Sequence, residues 1–98
     1  MLAAAYYAPE MMGDGVNNLY FIGVHPDRQG QGRGSALLSH VEQALRADGA
    51  RMLLVETSGT GGFALTRAFY AGHGYEEEAR IRDYYATGDD KVVFRKLL

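Results

Sequence analysis

Val24-His25-Pro26-Asp27-Arg28-Gln29-Gly30-Gln31-Gly32-Arg33-Gly34-Ser35 is the stretch on which the reading of this sequence turns. Ahead of it, Asn18 to Val24 is a nearly continuous apolar run with aromatic and β-branched residues, the composition of a buried strand. Behind it the period changes. Leu37, Leu38, Val41, Ala44 and Leu45 recur at helical spacing, with Glu42, Gln43 and Arg46 facing away. The stretch is therefore a glycine-rich turn leading from a buried strand into an amphipathic helix over Ser35 to Asp48, which Gly49 ends from the left-handed cap position. The first N–H groups of a helix have no intrahelical partner and lie at the positive end of its dipole; glycines let that bare backbone approach a phosphate closely. A pyrophosphate ligand is implied.

The kind of phosphate turn is narrowed by spacing. A P-loop needs Lys before its Ser or Thr, and Gly34 occupies that place before Ser35. A dinucleotide turn needs Gly-x-Gly-x-x-Gly directly after its strand with an acid ending the next strand. Glu56 lies about where that acid falls, but Gly30, Gly32 and Gly34 alternate and the first of them stands well beyond Val24. What fits is Gln29-x-x-Gly32-x-Gly34.

The remaining elements follow in order. Leu2 to Ala8, closed by Pro9, reads as a strand, and Met11 to Asn17 as a turn. Arg51 to Thr57 is a second buried strand, reached from the first through the helix, which makes a right-handed crossover and a parallel pair. Ser58 to Gly62 is a loop, Phe63 to Ala71 a short helix stopped by Gly72 and Gly74, and Tyr75 to Tyr85 and Lys91 to Leu98 an antiparallel hairpin over a five-residue connection from Ala86 to Asp90. The sum is an α/β domain with a mixed sheet.

With that element order, Val24-His25-Pro26, Gln29-x-x-Gly32-x-Gly34 and Ala68-Phe69-Tyr70-Ala71-Gly72-His73-Gly74-Tyr75 closely resemble the GNAT N-acetyltransferase superfamily over residues 2 to 98. The resemblance implies a single acetyl-coenzyme A-binding domain over residues 1 to 98, with a truncated GNAT (acyl-CoA N-acyltransferase) fold of about five strands and two helices. Family members begin with a strand, two helices and another strand ahead of the strand matching Leu2 to Ala8, and this sequence has none of them. A fragment, a compact enzyme completed by a second copy, and a cofactor module without turnover are all open on that basis.

By the same resemblance, Gln29, Gly30, Gln31, Gly32, Arg33, Gly34 and Ser35 hold the pyrophosphate of acetyl-CoA, and the main chain of Ile22 and Val24 bonds the pantetheine arm. The implied function is N-acetyl transfer by direct attack of a primary amine, from a small molecule or a peptide; the alternative is a non-catalytic acetyl-CoA-binding or structural dimeric module. Tyr70 matches the family's general acid, a neutral donor at pH 7; otherwise it is a core aromatic beside Phe69. A primary amine with a pKa near ~10.4 needs help losing its proton. Glu56, at the end of a buried strand, is the candidate base, with a surface salt bridge as the ordinary alternative, and His25 comes second. Solvation or capping accounts for His40 and His73, and a solvated hairpin tip for Asp89-Asp90. Arg80, Arg82 and Asp83 form either a polar strand face or part of the acceptor site.

Composition removes other classes. The 98 residues contain no cysteine, so thiol nucleophiles and thiolate metal sites are excluded, and no metal is expected. A formal net charge of -2 without a basic block leaves no electrostatic footprint for nucleic acid. No apolar run approaches the ~20 residues of a membrane span, so no membrane partner is expected and the cytoplasm is the expected location. The edge strand Leu2 to Ala8, together with Tyr6, Tyr20 and Ile22 as an uncovered apolar patch, predicts a homodimer.

Overall fold

A computed structural model describes residues 3–24 and 32–98, with the backbone alone at residues 3 and 21–24. The elements are β1 (Ala3–Pro9), β2 (Val16–Val24), α1 (Arg33–Ala47), β3 (Met52–Ser58), a one-turn 3-10 helix (Gly61–Phe63), α2 (Ala64–Gly72), β4 (Glu76–Ala86) and β5 (Asp89–Leu97). The five strands form one sheet in the order β1-β2-β3-β5-β4, with two helices, the α/β arrangement expected from the sequence.

Hydrogen bonds at the strand ends fix their directions. β1 and β2 pair antiparallel. Gly15, just ahead of β2, accepts from Arg51 N at 2.7 Å and Met52 N at 3.2 Å, so β2 and β3 start at the same end. That is the parallel sense a strand-helix-strand passage through α1 requires. Gly59 N, just past β3, donates to Asp90 O at the start of β5 at 2.9 Å, so β3 and β5 run in opposite directions. The sheet is mixed.

Two compact units divide the chain, Met1–Leu53 with Leu97–Leu98 and Leu54–Lys96. In the first, Leu19, Leu38, Val41, Leu45 and Leu53 are buried, and α1 packs on β1 and β2. The buried stripe of α1 is Leu38, Val41, Glu42 and Leu45, the i, i+3, i+4, i+7 set. Glu42 therefore faces inward, not outward as the sequence suggested: it sits one turn after Leu38 on the same face and is buried. The helix ends as expected. Ala50 N donates to Leu45 O at 2.9 Å and Gly49 N to Arg46 O at 3.0 Å, with Gly49 at φ 83°, a Schellman motif in which a side chain would be strained.

In the second unit Val55, Tyr70, Tyr75, Val92 and Phe94 are buried. α2 repeats the same ending: Tyr75 N donates to Tyr70 O, Gly74 N donates to Ala71 O, and Gly74 is left-handed at φ 88°. Gly72, taken from the sequence as a stop, is the last helical residue. The β4–β5 connection is tighter than the five residues expected. Ala86 pairs with Asp89, leaving Thr87-Gly88 as a two-residue turn with Gly88 at φ 81°. The slack is taken up earlier, where the register shifts between Ile81 and Ala86 and Asp83 adopts φ 56°. Asp83 N donates to Asp90 Oδ1 at 3.1 Å, and Gly88 N to Asp83 Oδ1 at 2.7 Å. Among the described residues no helix is long and apolar enough to cross a membrane.

Candidate functional site

Two sets of groups carry the chemistry, one in each unit. The first is the start of α1. Gly32 occupies the N-cap at φ 74°, and α1 begins at Arg33, two residues earlier than the period of its apolar face suggested. A Cβ built on Gly32 would meet nothing within 4 Å among the described residues. The helix has no side-chain cap and no acidic residue in its first turn. Ser, Thr, Asp or Asn caps are the usual way to satisfy these first N–H groups; here, among the described residues, no side chain caps them. Arg33, half-buried, has its Nε buried without a hydrogen-bond partner among the described residues. Among the described residues, a left-handed glycine with room beside it, uncapped donors and an unsatisfied guanidinium nitrogen together make a seat that an anion completes, and a pyrophosphate fits it.

Gly34 and Ser35 follow in the first turn, half-buried. Ile22 and Val24 lie on β2, paired with Ala5 and Ala3 of β1. The candidates Gln29, Gly30, Gln31 and His25 lie outside the described residues, as does the side chain of Ile22.

The second set belongs to the other unit. Tyr70 is buried on α2, its ring edge-on to Phe69 at 5.3 Å and to Tyr75 at 5.6 Å, with Phe94 at 6.2 Å. Desolvation pushes its phenol up to about 12. Glu56, on β3, is half-buried, and its Oε1 stands 2.7 Å from Lys91 Nζ. Along β3 the buried residues are Leu53, Val55 and Thr57, and along β5 Val92 and Phe94. Glu56 and Lys91 alternate with these, so they share the opposite face. Tyr70, against Phe94, and Glu56 therefore approach the sheet from its two faces.

The sequence did not single out Lys91, Tyr84 or Tyr85. Lys91 Nζ lies over the Tyr84 ring, 4.3 Å from its centroid, and Tyr85 stands perpendicular to Tyr84 at 5.0 Å and 87°. Burial first, and then the charge of Glu56, raise the Tyr85 phenol above its ordinary value. The hydrogen bond to Glu56 raises Lys91 above its own. The available signal was the tyrosine pair followed by a lysine one hairpin turn later, but only strand register connects it to Glu56.

Other marked residues have structural partners. His73 Nδ1 lies 2.7 Å from Phe69 O, its ring against Phe69 at 4.4 Å. Asp89 accepts from Ser58 Oγ, and Asp90 accepts from Asp83 N and pairs with Arg80 at 3.5 Å. The hairpin tip is thus tied down rather than merely solvated. No cluster of metal-binding side chains occurs among the described residues.

Residues 3–77 match the model of the GNAT acetyltransferase domain. The ribosomal protein bS18-alanine N-acetyltransferase of Escherichia coli is 37% identical over 73 residues, which are 74% of this chain and 48% of that protein. The amino-acid acetyltransferase of Ralstonia nicotianae is 42% identical over 67 residues, 68% of this chain and 14% of that protein. Among solved structures, a protein assigned to the GNAT acetyltransferases, from Desulfovibrio desulfuricans, superposes with a TM-score of 0.96 at 41% identity, covering 99% of this chain and 61% of that one. The chain thus spans about half the length of the curated bS18-alanine relative, 48%. The strand order, the bare glycine turn into α1 and the aromatic end of α2 occur together in a sequence that the family model covers over most of its length. The chain belongs to the GNAT acetyltransferase domain family.

Proposed function

We propose that residues 1–98 form the acetyl-CoA-binding domain of an N-acetyltransferase that passes the acetyl group to a primary amine by direct attack. The observation that carries this reading is the start of α1, where, among the described residues, a left-handed Gly32 with room beside it, uncapped N–H groups and an Arg33 Nε without a hydrogen-bond partner make an anion seat in a chain of this family. Gly32, Arg33, Gly34 and Ser35 would hold the pyrophosphate by main-chain N–H groups, joined by Gln29, Gly30 and Gln31, and the main chain of Ile22 and Val24 would hold the pantetheine arm. When bound, acetyl-CoA supplies a thioester whose carbonyl carbon is open to an amine.

Two side chains handle the protons in this reading. Tyr70, at about 12, is neutral at pH 7 and donates a hydrogen bond to the departing sulfur. Full proton transfer from it to a thiolate of ordinary pKa near ~8.5 would be uphill by roughly 5 kcal/mol, so its part is to stabilise developing charge more than to surrender the proton outright. Glu56 takes the amine proton, directly or through a water. The acceptor is a small-molecule or peptide amine, in keeping with the alanine and amino-acid acceptors named for the two curated relatives. The protein is proposed to work as a homodimer in the cytoplasm, a setting that suits a chain without cysteine.

The test is a calorimetric titration with coenzyme A. Gly32→Glu should abolish binding by putting bulk and negative charge on the anion seat. Any L-residue at φ 74° carries a strain of about 1–2 kcal/mol, so Gly32→Asn, which tolerates that conformation, serves as the uncharged comparison and should keep measurable affinity. No binding by the wild-type chain, or equal binding by a folded Gly32→Glu variant, would remove the assignment.

A further inference from the structure

The Lys91 ammonium is held at once by a carboxylate, Glu56 Oε1 at 2.7 Å, and by an aromatic face, the Tyr84 ring at 4.3 Å. Carboxylate and ring face are the two elements by which proteins recognise a primary ammonium, one by charge-assisted hydrogen bonding and the other by the negative face of the π-system. The walls of this arrangement are open to solvent, Tyr84 at 55% and Tyr85 at 47% exposure, while only 13% of the Lys91 side chain is exposed. An occupant is enclosed in a site whose lining is accessible.

We propose that Lys91 is the resident occupant of a subsite for primary ammonium groups formed by Glu56 and Tyr84, and that an incoming amine ligand binds by taking its place. The identity of that ligand as the acetyl acceptor rests on the transferase reading above; the ammonium subsite does not. The exchange is chemically like for like, since the Lys91 head and a protonated primary amine carry the same charge and the same donors. The exchange breaks one ammonium–carboxylate pair and makes another, and the lysine head rides on a flexible four-carbon stem rooted in β5, which lets it swing into solvent. The hydrogen bond to Glu56 is the largest cause of the raised basicity of Lys91. An acceptor delivered there arrives as its ammonium beside the carboxylate that accepts the proton. N–H cleavage then passes that proton to Glu56 and leaves the nitrogen lone pair for attack.

An internal ligand that fills a site for ~90% of the time weakens an outside ligand about tenfold, so its removal should tighten binding by that factor. The experiment is an NMR titration of the whole chain with n-propylammonium chloride at constant ionic strength, following the amides of β4 and β5. Lys91→Ala should bind about tenfold more tightly than wild type, and Lys91→Met, which keeps the apolar stem, should gain in the same direction. Lys96→Ala, which removes an equal charge from the contact with Tyr75 and His73, should gain nothing. Glu56→Gln in the Lys91→Ala background should cancel the gain. The proposal fails if neither Lys91 variant binds more tightly while folded, if Lys96→Ala gains as much, or if Glu56→Gln leaves the gain in place. None of these readouts needs acetyl transfer, so a chain that never turns over would still decide the ammonium subsite, and an active enzyme could still lack it.

Discussion

Tyr70 carries an ionisable tip into a cluster of rings, and its chemistry follows from that burial. With the phenol pushed up to about 12 against an ordinary 10, the folded state holds this proton more tightly than the unfolded chain. A folded value above the unfolded one contributes stability that is fully present below pH 10 and is lost as pH climbs through about 12. The size is at most about 2–3 kcal/mol. Lys91 is raised too, by its hydrogen bond to Glu56, and acts in the same direction at alkaline pH. Tyr70→Phe should therefore flatten the alkaline loss of stability between about pH 10 and pH 12 while leaving the Lys91 contribution. Urea denaturation at stepped pH measures it, and parallel wild-type and mutant curves would show that Tyr70 does not couple to folding. The same variant, assayed for acetyl transfer, should lose about 10²–10⁴-fold in kcat with little change in coenzyme A affinity. A wild-type kcat would return Tyr70 to a packing role.

At the level of elements, what could be read from the sequence was local and what could not was paired across strands. The change of period after Ser35, the apolar runs of β2 and β3, and Gly49 and Gly74 beyond the helix ends are each legible within a few residues, and each has its element in the structure. Tyr70 could be picked out because Ala68 to Tyr75 resembles the Phe-Tyr segment of the family. Lys91 could not. Its partner Glu56 is on β3, and their meeting depends on the β3–β5 register, which in turn depends on a hairpin whose turn was read as five residues. The local chemistry of Ala86-Thr87-Gly88-Asp89-Asp90 suits a loop, but Gly88 closes a two-residue turn and the strand irregularity moves to Asp83. Asp83 thus holds a left-handed backbone at φ 56° and accepts from Gly88 N at 2.7 Å. Asp83→Val should cost about 1–2 kcal/mol from the backbone and about 1 more from the lost hydrogen bond. Asp83→Asn, which tolerates the conformation and keeps an acceptor, should cost a few tenths at most. Equal denaturation midpoints for the two variants would show that the strained residue does not shape this hairpin.

For the molecule as a whole, the open question is what covers β1 and the face it shares with β2. Among the described residues β1 ends the strand order, with β2 its one neighbouring strand. On the face of this hairpin Tyr6 and Tyr20 are exposed, their rings in contact at 5.8 Å, beside a register shift between Tyr6 and Tyr7. An exposed pair of aromatic rings beside an uncharged strand edge is a surface that soluble proteins seldom leave bare. A second copy covers it economically, because a two-fold contact sets the same patch against itself and closes without a further free edge. Light scattering after size exclusion at micromolar concentration should then give twice the 10.7 kDa chain mass. The double variant Tyr6→Asp, Tyr20→Asp should shift it to one chain mass without loss of circular dichroism signal, since two like charges brought face to face at the contact repel and both side chains are solvated in the monomer. Tyr84→Ser, in the other unit, should leave the dimer unchanged. A wild-type chain that elutes at a single chain mass would rule the dimer out, and a dimer indifferent to Tyr6 and Tyr20 but broken by Tyr84→Ser would move the contact to β4.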